Sequence, residues 1–344
     1  MRENQYMVEG SSKPRILIDT PEKMAAVNLD DSDNSVTFIL VPAALPHIGS
    51  SEKEWRAIIK RYKNYRHSKN FLKRHRSLEP QMRAILLDWL NEVSEAYILN
   101  RHTFYLAMDY FDRFMLSRTN IEKGKLQLIG ITCLFIASKL EETCPPKLSE
   151  MAYVTADTYL EKEISDMELV ILKELKWLLH PNTPLCWLTL YFQMASLRPP
   201  ITTADMMELQ YPQDAYIVMT RLLDLCMIHL NSLDFHYRLL SASVLCHYIP
   251  VEKVRRVSGL SKELLQPCLD WMVPLVDSMG RFDRATLRDF PRVRTEERHF
   301  IQTHADYLGM LDYASREVVN GQFSTPPKSK GGKKRQTLSC RRKT

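Results

Sequence analysis

The chain has 344 residues, of which 45% are hydrophobic and 26% are charged, so it can bury a sizeable core and is long enough for two domains. Its ten glycines are too few for an architecture built on tight β-hairpins. The net charge of +6 comes from the C-terminal residues, because positions 328–343 hold eight Lys and Arg and no acidic residue. The remainder has a net charge of about −2, which argues against direct binding of nucleic acid.

The first half of the chain is predicted to be an arm followed by helices. Residues 1–50 mix Pro, Ser and Asp and are expected to form a disordered arm. Apolar residues then recur at helical spacing, which indicates a first domain at 51–180. The segment 123–142 is apolar on nearly all faces in its middle and should be the buried central helix. The predicted helices span residues 52–67, 80–98, 101–116, 123–142, 147–154 and 158–175.

The order long, long, central, short and long is predicted a second time at 181–293. A last helix, 295–319, is expected within a segment at 294–320, and residues 321–344 are expected to form a basic, disordered tail. The sequence therefore predicts an all-α fold with an internal structural repeat. The helices of the second set are predicted at 185–197, 213–230, 237–248, 251–257 and 262–278.

Motifs of enzyme chemistry are absent from the sequence. It contains no G-x-G-x-x-G, Walker A, G-x-S-x-G or H-E-x-x-H motif, and its cysteines lack the spacing of a zinc site. His299 and His304, on the predicted last helix, are expected to face solvent. Glu141 and Glu142 are adjacent and point about 100° apart on a helix, so they cannot converge on one acid–base site. We expect no catalysis, no metal and no cofactor, and also no membrane span, because the most apolar run, 126–137, is too short.

The predicted helix at 80–98 has an unusually wide apolar surface. At about 100° per residue its apolar side chains cover an arc of about 200°, whereas a helix docked on one core needs little more than about 100°. The excess indicates burial on two sides, the commoner case, or an exposed apolar patch that receives a partner. Periodicity leaves both explanations open. The arc consists of Met82, Ile85, Leu86, Leu87, Trp89, Leu90 and Val93.

The sequence around this helix resembles that of cyclins. Residues 82–86 read Met-Arg-Ala-Ile-Leu, identical to the cyclin MRAIL motif, and Asp-Trp-Leu follows at 88–90 as in cyclins. The resemblance continues with Lys-Leu-Gln-Leu at 125–128, Ala-Ser-Lys-Leu-Glu-Glu at 137–142 and Pro-Pro-Lys-Leu at 145–148. It covers residues 50–315, and the sequences at 127–131, 152–155, 271–274 and 301–304 resemble E-type cyclins. It implies two tandem five-helix cyclin boxes with an extra N-terminal helix and a C-terminal helix.

The resemblance implies a regulatory subunit that activates a cyclin-dependent serine/threonine kinase and promotes the G1/S transition. In the family, a Lys at the end of the central helix and a Glu on the fifth helix contact the kinase, and the matching residues are Lys139 and Glu168. Leu140 stands where many relatives have Phe, and Cys144 where they often have Tyr, so individual contacts are expected to differ. The neighbouring residues assigned to the kinase contact are Leu140, Glu141 and Glu142.

The resemblance also explains the wide apolar arc, as a shallow groove that binds Arg-x-Leu motifs of substrates and inhibitors. Glu92 is expected to offer its carboxylate to the Arg of the motif. Replacing Met82, Leu86 and Trp89 together by Ala is expected to keep kinase binding and to weaken phosphorylation of docking-motif substrates. The matching groove residues are Met82, Ile85, Leu86, Trp89, Leu126 and Gln127.

The terminal segments resemble regulatory signals. Thr325 begins a Thr-Pro-Pro-Lys sequence of the kind these kinases phosphorylate, and Ser329 lies four residues on. The pair resembles the E-type degron that an F-box ubiquitin ligase binds after phosphorylation, although Phe323 and Ser324 replace the usual Leu pair. Thr20 lies in a sequence that resembles the weaker N-terminal degron.

Two segments bear on localisation. The basic cluster Lys333, Lys334 and Arg335 predicts nuclear import. Residues 187–197 resemble a centrosome-targeting segment of E-type cyclins, although core packing explains their apolar side chains equally well.

Other functions of the same fold are alternatives. A general transcription factor with two cyclin-like repeats would need a basic folded body and often an N-terminal zinc ribbon, and the sequence has neither. A transcription-type cyclin is a nearer alternative. A scaffold without a kinase partner would require Lys139 and Glu168 to be incidental.

Overall fold

The computed structural model describes Tyr65 and residues 67–197, 211–282 and 284–319. The predicted arm at 1–50, almost all of the predicted helix at 52–67 and the tail at 321–344 lie outside these residues. The sites predicted in the two terminal segments also lie outside them, namely Thr20, Thr325, Ser329, Lys333, Lys334 and Arg335.

The first set of helices begins and ends at residues that favour those boundaries. Pro80 occupies the first turn of α2, where its missing N–H is no loss. The side chain of Asn100 accepts a hydrogen bond from the backbone N–H of His102 and caps α3. A short helix, α1, precedes them and was not predicted. The helices are α1 (Phe71–Arg74), α2 (Pro80–Ala96), α3 (Arg101–Ser117), α4 (Leu126–Glu141), α5 (Leu148–Tyr153) and α6 (Glu161–Glu174).

The second set repeats the order of α2–α6. Thr183 and Ser261 cap the N-termini of α7 and α11, and Gly259, with a φ of 69°, ends α10 in the left-handed conformation. The described residues contain no β-strand, only one isolated antiparallel bridge, so the all-α prediction is confirmed. These helices are α7 (Pro184–Ser196), α8 (Gln213–Ile228), α9 (Tyr237–Cys246), α10 (Val251–Ser258) and α11 (Lys262–Arg281).

Each set is built around one central helix. Helix α4, buried over most of its length, packs against α2, α3, α5 and α6, as predicted for a central helix. Helix α9 packs in the same way against α7, α8, α10 and α11. One hydrophobic core runs through both sets, so apolar contacts join them. We refer to α2–α6 and α7–α11 as the first and second box.

A buried polar cluster also joins the two boxes. The guanidinium of Arg101 on α3 donates to the carboxylate of Asp224 on α8 at 3.2 Å. The same carboxylate accepts hydrogen bonds from the hydroxyls of Tyr105, at 2.6 Å, and Tyr307, at 3.1 Å. Such a cluster stabilises one arrangement of the boxes, because losing one partner would leave a buried charge unpaired.

The predicted helix at 295–319 is wrong over its first half. Only α12 (Tyr307–Val319) is helical, and the residues before it form a 3-10 turn, Arg298–Phe300, and an extended stretch. The reason is long-range hydrogen bonding, because Arg101 donates to the carbonyl of His299 at 3.0 Å and to the side chain of Gln302 at 3.2 Å. The backbone N–H of Gln302 donates to the carbonyl of Leu99 at 2.9 Å.

The two histidines of this segment do not face solvent as predicted. His299 is fully buried and its ring packs against Tyr216 and Phe300. His304 is half-buried, and its Nε2 lies 3.2 Å from the carboxylate of Asp88 on α2. The segment between α11 and α12 is therefore part of the folded body.

None of the described helices is long and apolar enough to cross a membrane. Across the same residues, no group of three or more His, Cys, Asp and Glu side chains could hold a metal ion.

Candidate functional site

Helix α2 is buried on two sides. One side packs against α3 and α4, and another packs against α8, α12 and the 3-10 turn Leu230–Asp234. Leu87 and Leu90 are fully buried between these elements. Burial on two sides therefore accounts for most of the wide apolar arc, which was one of the two explanations the sequence left open.

Arg83, the second residue of the Met-Arg-Ala-Ile-Leu sequence, points into the protein. Its guanidinium pairs with Asp112 of α3 and also contacts the C-terminal end of α8. Sequence reasoning gave this residue no role, because an Arg on an amphipathic helix normally marks its solvent face. Here the Arg fixes α2 to both boxes.

The outer edge of α2 retains accessible side chains. Ile85 is 39% exposed, and Glu92 is also exposed. Met82 and Trp89 are half-buried against the core. We refer to Met82, Ile85, Trp89 and Glu92 as the docking strip, since spacings of three and four residues align them along one helix face.

Three other predicted groove residues lie under or beside the docking strip. Leu86 is 4% exposed and packs against Gly130 of α4, where an added Cβ would lie only 2.9 Å from Leu86 Cδ1. Leu126 is also buried and lines a small cavity together with Met82. Gln127 is half-buried. The structure thus brings α2 and α4 together as the resemblance implied, but Leu86 and Leu126 are core residues.

The two residues predicted to contact a kinase lie against each other. The Lys139 ammonium at the end of α4 forms a salt bridge with the Glu168 carboxylate on α6. It also lies 4.2 Å from the centre of the Phe135 ring, a cation–π contact. Both charged groups are partly accessible, so another protein can exchange partners with them.

Exposed leucines flank this ion pair. Leu140, which follows Lys139, is 42% exposed, and Leu169, which follows Glu168, is 53% exposed. The sequence analysis did not assign Leu169 to this surface. A signal existed in the sequence, since Leu169 lies outside the apolar stripe formed by Ile164, Ile171 and their neighbours and therefore faces away from the core. Exposed apolar side chains that lie close together mark a candidate contact surface for another protein.

Glu141 and Glu142 differ in their surroundings. Glu141 lies at the end of α4, where reduced contact of its carboxylate with water, together with the charge of Glu142, raises its pKa. The Glu142 carboxylate accepts hydrogen bonds from the backbone N–H of Asn100, at 2.8 Å, and from the hydroxyl of Thr103. Glu142 therefore joins the end of α4 to the start of α3, a function within the fold that the resemblance did not indicate.

Comparison with known proteins shows the family to which this fold belongs. The family model "Cyclin, N-terminal domain" matches residues 53–180. The G1/S-specific cyclin-E1 of Danio rerio is 44% identical over 282 residues, which cover 81% of this chain and 68% of the relative. The chain belongs to the E-type cyclin family. The cyclin-E1 of Gallus gallus is 40% identical over 339 residues, or 94% of this chain and 81% of the relative.

A solved structure supports the same fold for this E-type cyclin. The X-ray structure of a viral cyclin from herpesvirus saimiri superposes with a TM-score of 0.52 and covers 63% of this chain and 95% of the viral chain. The two sequences are only 20% identical, so this likeness concerns the fold alone.

Proposed function

We propose that this E-type cyclin is a regulatory subunit, without catalysis of its own, that binds and activates a cyclin-dependent serine/threonine kinase at the G1/S transition. The observation that carries the proposal is the similarity, over 81% of the chain, to a protein named G1/S-specific cyclin-E1. The partly accessible salt bridge between Lys139 and Glu168 supports it, because it offers both charges beside exposed leucines.

Activation follows from selective binding. A kinase whose active conformation is a minor one becomes active when a partner binds that conformation more tightly than the inactive one. Lys139 and Glu168 supply hydrogen bonds to the kinase, and Leu140 and Leu169 supply apolar contact. Breaking the salt bridge between Lys139 and Glu168 to form contacts with the kinase costs little free energy, because salt bridges at the surface contribute only about 0–1 kcal/mol.

The docking strip is proposed to bind Arg-x-Leu motifs of substrates and inhibitors. An extended peptide can place its Leu against Ile85 and Trp89, while its Arg pairs with the exposed carboxylate of Glu92. Leu86 and Leu126 support this surface from below, because they are buried in the contact between α2 and α4. Docking would bring substrates to the kinase without any contact at its catalytic centre.

The terminal segments are proposed to control abundance and location. Phosphorylation at Thr325 and Ser329, and at Thr20, would create charges that an F-box ubiquitin ligase binds through Arg residues. The basic cluster Lys333, Lys334 and Arg335 would direct nuclear import. The segment at 187–197 is less suited to centrosome targeting than the sequence suggested, because most of its side chains are buried in α7.

The test is purification of the tagged chain from dividing cells, followed by a histone kinase assay of the bound fraction. We expect a cyclin-dependent kinase to co-purify and the fraction to phosphorylate histone. Absence of any co-purifying kinase would contradict the proposal. A variant with Lys139→Glu and Glu168→Lys tests the surface, since it keeps the internal salt bridge but reverses both charges presented to the kinase.

A further inference from the structure

A cavity of about 170 Å³ lies between α8, the segment that follows α11, and the extended stretch before α12. Three arginines line it, namely Arg221 on α8 and both Arg284 and Arg288 on the segment that follows α11. The hydroxyl-bearing residues Thr286 and Thr303 also line it. Neither the kinase contact nor the docking strip uses these residues.

Arg288 is oriented by a carboxylate of α2. Its guanidinium forms a salt bridge with Glu95, whose second oxygen accepts a hydrogen bond from the backbone N–H of His304 at 3.0 Å. This arrangement fixes the arginine at the cavity wall, and a guanidinium has five N–H donors, so donors remain for a ligand. Arg284 is exposed at the same cavity.

The acidic groups near the cavity are already engaged. Asp306, which lines it, accepts a hydrogen bond from the backbone N–H of Gly309 at 2.9 Å, in the first turn of α12. Asp88 and Glu95 pair with His304 and Arg288 respectively. The cavity therefore presents more positive than negative charge to a ligand.

We propose that this cavity binds the phosphoryl group of a phosphoserine or phosphothreonine side chain in a partner protein. Forked guanidinium groups match the oxygens of a phosphoryl group two at a time, and the threonine hydroxyls add donors. The size agrees, because the volume of about 170 Å³ is several times what one water molecule needs, so it has room for a phosphate ester with its phosphorus and four oxygens.

The position of the cavity suggests what the site is for. Glu95, which holds Arg288, lies on α2 three residues beyond Glu92 of the docking strip, a spacing that places two side chains on the same helix face. A substrate that carries a docking motif and a nearby phosphorylated residue could occupy both sites. This use in substrate selection rests on the proposed function, whereas binding of the phosphoryl group does not.

The experiment is isothermal titration calorimetry of the full chain, without kinase, with a capped Gly-Ser-Gly peptide, its phosphoserine form and inorganic phosphate. We expect the phosphopeptide to bind about tenfold or more tightly than the unphosphorylated peptide and more tightly than inorganic phosphate. Arg284→Gln with Arg288→Gln should remove the difference. Arg255→Gln with Arg281→Gln removes the same number of charges outside the cavity and should retain it.

Three results would overturn the proposal. One is equal affinity for the two peptides, and another is a preference for the phosphopeptide that survives in the double variant. The third is binding of inorganic phosphate as tight as that of the phosphopeptide, which would exclude a peptide as the ligand. If the double variant does not fold, Arg284→Gln alone serves, because Arg284 is exposed. Because no kinase is present, failure here leaves the proposed function untouched.

Discussion

Arg83 and Asp112 form a two-point ion pair inside the protein. Arg83 Nε lies 2.7 Å from Asp112 Oδ1, and Nη2 lies 2.7 Å from Oδ2. The remaining nitrogen, Nη1, donates to the carbonyls of Met227 and Ile228 at 3.0 and 3.1 Å. One arginine therefore joins α2, α3 and the end of α8, and sets the position of the docking strip relative to both boxes.

We expect Arg83→Ala to destabilise the protein by about 3–5 kcal/mol, because it leaves the carboxylate of Asp112 buried without its partner. The measurement is the free energy of unfolding from urea denaturation. Arg255→Ala is the control, since Arg255 is partly exposed and pairs with Glu252 one turn away, and it should cost less than about 0.5 kcal/mol. Equal effects of the two substitutions would contradict the structural role of Arg83.

The contrast between Arg83 and the leucines of α2 shows which features the sequence can predict. Helix positions and the central place of α4 follow from apolar periodicity, a local property of the sequence. The burial of Arg83 depends on Asp112, 29 positions away, and no periodic pattern records such a contact. Helical periodicity also failed at 295–306, because Arg101, about 200 residues earlier, holds that stretch extended.

For the candidate site, the sequence predicted which residues take part but not how deeply each is buried. The resemblance predicted a kinase contact at Lys139 and Glu168; the structure shows that the two residues form a salt bridge, and their contact with a kinase stays a prediction. It also assigned Leu86 to the groove surface, although Leu86 is buried against Gly130. A sequence motif identifies which residues belong to a helix, but how far each side chain is buried depends on the packing of neighbouring helices.

Gly130→Ala is expected to destabilise the protein by about 1–3 kcal/mol, although Ala normally favours a helix over Gly. The added Cβ would lie 2.9 Å from Leu86 Cδ1 and would displace that side chain, which is buried in the contact between α2 and α4. Gly280→Ala is a matched control in helix α11, because no atom lies within 4 Å of its Cβ position. Thermal unfolding should show Gly130→Ala less stable, and Gly280→Ala slightly more stable, than the wild type.

Docking is best tested at the exposed part of the strip. We expect Ile85→Ala with Glu92→Gln to raise the KM for an Arg-x-Leu substrate about tenfold, the effect of losing about 1.4 kcal/mol of binding. Phosphorylation of a substrate that lacks the motif should not change. Equal loss on both substrates would contradict the docking assignment.

Substitutions at Met82, Leu86 and Trp89 together would be a poorer test of docking. Leu86→Ala alone is expected to cost about 2–5 kcal/mol of stability, because Leu86 is buried. The triple variant therefore mixes loss of docking with loss of folding. A urea denaturation curve of Leu86→Ala checks this expectation, and a cost below about 1 kcal/mol would contradict it.

The pair of His304 and Asp88 predicts a dependence of stability on pH. Burial acts to lower the pKa of His304, but the hydrogen bond and charge of Asp88, with the charges of Glu92 and Asp306, raise the pKa above its ordinary value. A raised pKa means that the folded state binds the proton more tightly than the unfolded state. The stabilisation is therefore complete below the unfolded pKa of about 6.5, and it is lost as pH rises through the folded pKa.

We expect His304→Gln to reduce the free energy of unfolding more at about pH 6 than at about pH 9. In a protein that already carries Asp88→Asn, His304→Gln should change the free energy of unfolding equally at the two pH values, since Asp88 supplies the main charge that favours the protonated ring. Arg288, which lines the same cavity as His304, is unchanged in both variants. A larger effect of His304→Gln at the higher pH would contradict the assignment.

The central claim is that this E-type cyclin activates a kinase through the surface that contains Lys139 and Glu168. The direct measurement adds the purified chain to the purified catalytic subunit of a cyclin-dependent kinase and follows the phosphorylation rate of a peptide. We expect a rise of about ten- to a thousandfold, since an active conformation populated at about 0.1–10% becomes dominant. Lys139→Glu with Glu168→Lys should remove most of this rise. No rise with the folded wild-type chain would contradict the account.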